Sequence, residues 1–332
     1  MSEIKVNNIQ SLSGANGPEI SGTVEMNSTG AMSLPRGDTT YRGGRGRGLF
    51  AGGTDTNKDI DFVTISTTGD SKDFGDLTLS RKRMGSCASS TRGVWFSGYE
   101  APADRNVIDY VTISSTGNAF DFGDLPQGRR TSSGASNNER GLIAGGGNPG
   151  LSDVQKITIS SLGNSSSFGN LSDDRQLTGG FQSSTRGLFS GYLTLATANL
   201  IEYFDFATEG NSIDFGDLSL TRINLNCCSN STRGILAGGF ISPANQDRID
   251  YVTMASTGDA IDFGNLTTAR QSMKGTASSP IRGVFAGGYT PSNSNVIDYI
   301  TIDTLGNAAN FGDLITAQAY GAGCSDSHGG LG

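Results

Sequence analysis

Residues 282–318 read RGVFAGGYTPSNSNVIDYITIDTLGNAANFGDLITAQ, and the order of their parts decides the fold. An Arg-Gly step leads into an apolar run that stops at a glycine pair. A polar connection follows, then a strand built around Asp298 and Tyr299, a Gly-Asn turn, and Phe311-Gly312-Asp313-Leu314. The alternation of apolar and polar residues over 296–302 has the period of a half-buried strand. The same parts recur upstream. The Arg-Gly step stands at Arg47, Arg92, Arg140, Arg186, Arg233 and Arg282, with gaps of 45, 48, 46, 47 and 49 residues. The Phe-Gly landmark stands at Phe74, Phe122, Phe168, Phe215, Phe263 and Phe311. Periods in this range specify a propeller or an array.

The spacing also says where variation is permitted. From each Phe to the next Arg-Gly step is 18 residues in four intervals and 19 in the fifth. From that Arg to the acidic or equivalent residue of the following strand the distance runs 14, 17, 15, 16, 17 and 16. Length therefore changes in one connection, just after the glycine pair, as on a rigid scaffold with one set of adjustable loops. Each unit reads as four strands. Strand a is a run of small residues (84–90, MGSCASS), and strand b is the apolar run into the glycine pair. Strand c carries the Asp-Tyr pair, and strand d the Phe-Gly landmark. Small residues suit strands that converge on an axis, and the aromatics of strands c and d suit the wider gaps between blades.

The ring needs one more strand a. Residues 317–328 match that run. Residues 36–46 compete, since Arg36 lies 11 residues before Arg47, the interval between Arg81 and Arg92. They would put Tyr41 and Arg42 where sister copies have small residues, which favours closure by the C-terminal strand. The expected fold is all-β: a six-bladed propeller of four-stranded blades over 47–332, with residues 1–46 as an extended N-terminal arm.

Composition bounds the function. Glycine is 49 of 332 residues, placed as turn punctuation between apolar runs. A net charge of −8 argues against nucleic acid and anionic membrane as partners. No run of 18 apolar residues is present, and the first residues lack a basic region followed by an apolar stretch. The expectation is therefore synthesis in a cytoplasm, without membrane insertion or secretory signal. Cys87, Cys227, Cys228 and Cys324 show no CxxC spacing and read as small buried thiols. The single histidine, His328, leaves no multi-histidine metal site or histidine-based triad and reads as exposed or in a turn. Asp55, Asn57 and Asp59 have the spacing of a calcium-loop start without its glycine or distal glutamate, and Trp95 reads as core. The short run 42–47, RGGRGR, reads as a joint between arm and ring. Arginines at 92, 140, 186, 233 and 282, and at 81, 129, 175, 222 and 270, form two repeated sets. They read as structural ties beside acceptors such as Asp76, Asp124 or Asp217. No catalytic residue, metal or cofactor is expected.

Candidate binding residues are those of the variable loops 54–59, 99–106, 147–153, 192–199, 240–248 and 289–295. Aromatics stand at loop roots, and amides or carboxylates lie within: Tyr99, Asp104, Tyr192, Phe240, Asn245, Tyr289 and Asn293. Such loops on one face suit a glycan or protein ligand.

The order apolar-Gly-Gly, variable loop, Asp-Tyr strand, aromatic plus Leu and Thr-Ala-Arg (residues 268–270 in the fifth copy) resembles the kelch repeat. Phe-Gly-Asp-Leu stands where kelch units carry a tryptophan, so the chain is kelch-like over about 47–330. The whole chain also resembles virion proteins of tailed phages of marine bacteria, cyanophages in particular. The arm IKVNNIQSLSGANGPEISGTVEMNSTGAMSLPRGDTTYRGGRGRG and the unit NVIDYVTISSTGNAFDFGDL carry that resemblance. It implies a non-enzymatic structural or tail-fibre-like protein located in the virion. Residues 1–46 would dock on other virion proteins, and the loops would face a host-surface glycan or protein or a further copy of the chain. An intracellular kelch-type interaction scaffold and a glycan-acting propeller hydrolase are the alternatives.

Overall fold

The computed structural model describes residues 46–54, 57–176, 179–191 and 199–331. The expected arm, residues 1–46, lies outside them except for Gly46. Six four-stranded antiparallel sheets stand around a common axis as the blades of a propeller. Within a blade the order is a-b-c-d, as in blade six: Gly275–Ser278, Arg282–Tyr289, Asn293–Thr301 and Ala309–Asp313. Blade one takes its strand a from the far end of the chain. Ala322–Ser325 pairs antiparallel with Arg47–Ala51, matching Gly48 with Ser325 and Ala51 with Ala322. The C-terminal segment thus closes the ring and leaves the first strand b no free edge.

Apolar burial is organised between blades. In one cluster Leu49, Ile60 and Phe74 of blade one meet Trp95, Val111 and Ile113 of blade two. Across the seam, Val284, Ile297 and Phe311 of blade six meet Phe50, Val63 and Ile65 of blade one. Trp95 is fully buried, and its indole N–H donates to the Ala322 carbonyl at 3.1 Å. Cys227 and Cys228 point to opposite faces of their strand: Cys227 joins the apolar cluster of blades four and five, Cys228 that of blades five and six.

Two motifs that look separate in sequence form one lock between neighbouring blades. The Phe74 carbonyl accepts from Gly117 N at 2.7 Å, and Asn118 Oδ1 accepts from Asp76 N at 3.0 Å. The same pair of bonds recurs around the ring. At the seam Phe311 accepts from Gly69 N at 2.8 Å, and Asp70 Oδ1 accepts from Asp313 N at 3.0 Å. Gly75 has φ +146°, and a Cβ there would stand 2.4 Å from the Gly117 carbonyl oxygen. The landmark glycine is therefore required twice, by conformation and by close approach.

Both arginine sets are ties, but their acceptors are not the landmark aspartates. Arg92 donates to the Ile159 carbonyl of the next blade at 2.8 Å while its guanidinium lies 4.9 Å from the Tyr110 ring centroid. Arg233 and Arg282 repeat this toward Ile302 and Ile65. The other set is buried against the acids of strand c: Arg81 with Asp109 at 2.7 Å, Arg222 with Asp250 at 2.6 Å and Arg270 with Asp298 at 3.0 Å. Asp76, Asp124 and Asp217 lie on the solvated outer strand and use their backbone N–H groups in the locks instead. A buried guanidinium gains more from a desolvated carboxylate than from one in water, which fixes the choice of partner.

Two of the six pairs are built differently: in blade three Gln155 stands at the position of the acid and Arg129 pairs with the partly exposed Asp153 at 2.8 Å, and blade one lacks the arginine. The residue that should face Asp61 of blade one is Gln318, not arginine. Asp61 is bonded instead by Lys274 Nζ at 2.6 Å, and both side chains are buried. Arg81, Arg129, Arg222 and Gln318 stand four residues before the start of their strand a, but Arg270 stands five before Gly275. Lys274 is the extra residue behind the 19-residue interval. Burial pushes the Asp61 carboxyl above the usual carboxylate range, and the Lys274 ammonium pulls it back.

Candidate functional site

In an a-b-c-d blade the b–c loops and the d-to-a connections share one face, and the a–b and c–d turns share the other. On the first face, three variable loops are hairpins. Tyr99 pairs with Asp104, Phe240 with Asn245, and Tyr289 with Asn293. Six of the seven candidate residues are thus cross-strand partners; Tyr192 lies outside the described residues. Asp55 of the calcium-like spacing also lies outside them, and Asn57 hydrogen-bonds Asp59 across a turn.

The candidates form two groups. Asn245 Nδ2 donates to the Tyr289 carbonyl at 3.1 Å, and Asn293 Nδ2 donates to Thr54 Oγ1 at 2.6 Å. Thr54 in turn donates to Gln318 Oε1 at 2.9 Å, so one polar chain runs from blade five through blade six to blade one. The second group centres on a residue that repeat logic passes over. Arg130 lies 4.1 Å from the centroid of the Tyr99 ring, and its Nε lies 2.6 Å from Asp104 Oδ1.

The two groups flank the mouth of an axial cavity of about 170 Å³. Its rim is made by the residues two beyond the inner arginine position, Arg83, Thr131, Asn224, Ser272 and Tyr320, all with φ between 47° and 62°. Their backbones are bonded in sequence around the axis. Ser272 N donates to Asn224 O, Tyr320 N to Ser272 O, Arg83 N to Tyr320 O and Thr131 N to Arg83 O. Below the rim lie Met84, Leu225 and Met273, and below those the small residues of the inner strands.

The far end of the cavity is closed by residues 326–331. His328 sits in the bend after the last strand, but it is 5% exposed and not on the surface. Its Nε2 lies 2.8 Å from the Ala88 carbonyl. Ser327 donates to Ser278 O at 3.2 Å, and Asp326 Oδ1 accepts from Gly46 N at 2.7 Å. The segment thus reaches inner-strand carbonyls of blades two and six as it crosses the axis.

The loop residues were accessible to sequence reasoning because they vary. Arg83, Arg130 and Tyr320 were not, since they lie in the interval of constant length that otherwise holds framework. Their signal is a break of symmetry: Arg83 and Tyr320 stand where sister copies carry Thr131, Asn224 and Ser272. No family model and no curated protein matches the chain.

Proposed function

We propose that the chain is a non-enzymatic virion structural protein of tail-fibre or decoration type. In this reading residues 1–46 dock on other virion proteins, and the propeller turns its b–c face toward a host-surface glycan or protein. The observation that carries the binding part is the division of labour between framework residues and those of the variable loops. The recurring arginines, strand-c acids and landmark glycines are engaged in ties within and between blades, as at Arg81, Arg92 and Gly75. The variable-loop side chains Tyr99, Asp104, Phe240, Asn245, Tyr289 and Asn293 gather on one face around the axial mouth. Among the described residues lining the cavity none is Asp or Glu, so it offers a ligand no carboxylate pair for general acid and base work.

The resemblance of the whole chain to virion proteins of tailed marine phages supplies the setting, and the kelch-like order of the repeat fits a module that presents loops from a rigid ring. In that setting the protein is made in the host cytoplasm and incorporated into the particle. The test is immunogold labelling of purified particles with antibody raised against the propeller, together with mass spectrometry of the same particles. Stoichiometric presence and a fixed site on the particle are expected. Absence from washed virions overturns the reading and leaves an intracellular interaction scaffold.

A further inference from the structure

The cavity differs from the rest of the propeller in its chemistry. In a chain of net charge −8, its described lining contains no carboxylate and one arginine. Arg83 is half-buried at the rim, 5.4 Å from the Tyr320 ring centroid, and its guanidinium has no ion pair or hydrogen bond among the described residues. Every inner arginine a few residues away is neutralised by an acid, as Arg81 is by Asp109. A guanidinium stacked on a ring but with no acid beside it, at a cavity mouth, keeps its donor fork available to an anion. Beneath it the apolar collar of Met84, Leu225 and Met273 suits a C–H face, and the hydroxyls and amide of Thr131, Ser272 and Asn224 suit ring hydroxyls. A volume of about 170 Å³ holds one six-membered ring. The buried closure at His328 means that a chain cannot thread through and only a terminal unit enters.

We infer that the axial cavity binds the terminal carboxylated monosaccharide of an acidic glycan, with Arg83 pairing to its carboxylate. This deepens the recognition reading of the b–c face and is independent of where on a particle the protein sits. Virion association without sugar binding overturns the cavity assignment alone, and sugar binding without virion association overturns the attachment alone.

The probes are glucuronate, glucose and acetate, titrated calorimetrically into the full-length protein. Glucuronate is expected to bind at least tenfold more tightly than either of the others, because glucose lacks the anion and acetate the ring. Arg83→Gln removes the fork and should abolish the preference. Thr131→Asp is the second variant. It leaves Arg83 in place, sets a carboxylate beside it, and is tolerated at a positive φ; a loss of tenfold or more in glucuronate affinity is expected. Equal binding of glucuronate and acetate reduces the site to an adventitious anion site and overturns the sugar assignment. Equal binding of glucuronate and glucose, retained affinity in both variants, or no binding of glucuronate overturns the role of Arg83.

Discussion

Gly75 and Gly117 adopt nearly the same backbone, with φ of +146° and +154°, yet they stand in opposite surroundings. A Cβ on Gly117 meets nothing within 4 Å, whereas one on Gly75 meets the Gly117 carbonyl at 2.4 Å. Alanine at Gly117 should therefore cost only the backbone strain, about 1–3 kcal/mol. Alanine at Gly75 adds a clash that forces the lock open and should cost about 3–5 kcal/mol. Urea denaturation of the two variants measures the difference, and equal losses would mean that the lock does not constrain the blades. The Phe-Gly landmark is legible as a repeat in the sequence, but its role as half of a lock is not. Its partner belongs to the next copy, 42 residues further on, and only the ring geometry brings them into contact. Arg83 is hidden for a related reason. Constancy of length around it marks framework, and nothing local records that its guanidinium lacks the acid its neighbours have.

Among the elements, the seam between blades six and one shows how a repeat tolerates the loss of a member. The 19-residue interval and Gln318 are each visible in the sequence. Their complementarity depends on blade six standing beside blade one, which closure alone provides. Lys274→Met leaves Asp61 buried without its cation and should lower stability by about 3–5 kcal/mol at neutral pH. The pH dependence follows from the direction of the Asp61 shift. Its carboxyl is raised by burial even with Lys274 present, and removal of the ammonium takes away the largest opposing influence. A carboxyl raised in the folded state contributes stability below its unfolded value and loses that contribution as pH rises through the folded one. The variant should therefore close on the wild type as pH falls through about 4, where Asp61 takes up its proton in the unfolded state as well, and fall furthest behind at pH 7. Restoring the ordinary member with Gln318→Arg in the Lys274→Met background should recover most of the loss at neutral pH. Urea midpoints of the three proteins across that range decide it. A deficit in Lys274→Met that does not change with pH would show that packing, and not the charge on Asp61, sets the cost.

At the scale of the molecule, the question is whether the ring opens at its seam or all at once. The covalent chain joins every blade to the next except at blade one, where strand pairing and the contacts with blade six make the join. The closing strand is held on several sides, however. Ser325 Oγ donates to Ser278 O of blade six at 2.7 Å, and His328 reaches Ala88 of blade two. Asp326 clasps the start of blade one through Gly46 and Arg47. Four cysteines report on this arrangement: Cys87 in blade two, Cys227 and Cys228 in blade five, and Cys324 in the closing strand. All are buried. Burial pushes the Cys87 and Cys228 thiols up to about 12 and raises Cys227 and Cys324 well above the usual thiol value. Reaction with a thiolate-directed reagent at about pH 8 must then wait for opening that restores an ordinary thiol. Because the closing strand is tied to blades one, two and six together, it should not peel away by itself. Pulsed alkylation in increasing urea, read by peptide mass spectrometry, should release all four thiols at one midpoint. Release of Cys324 well before Cys227 and Cys228 would show that the seam unzips first, and that the segment across the axis adds little to closure.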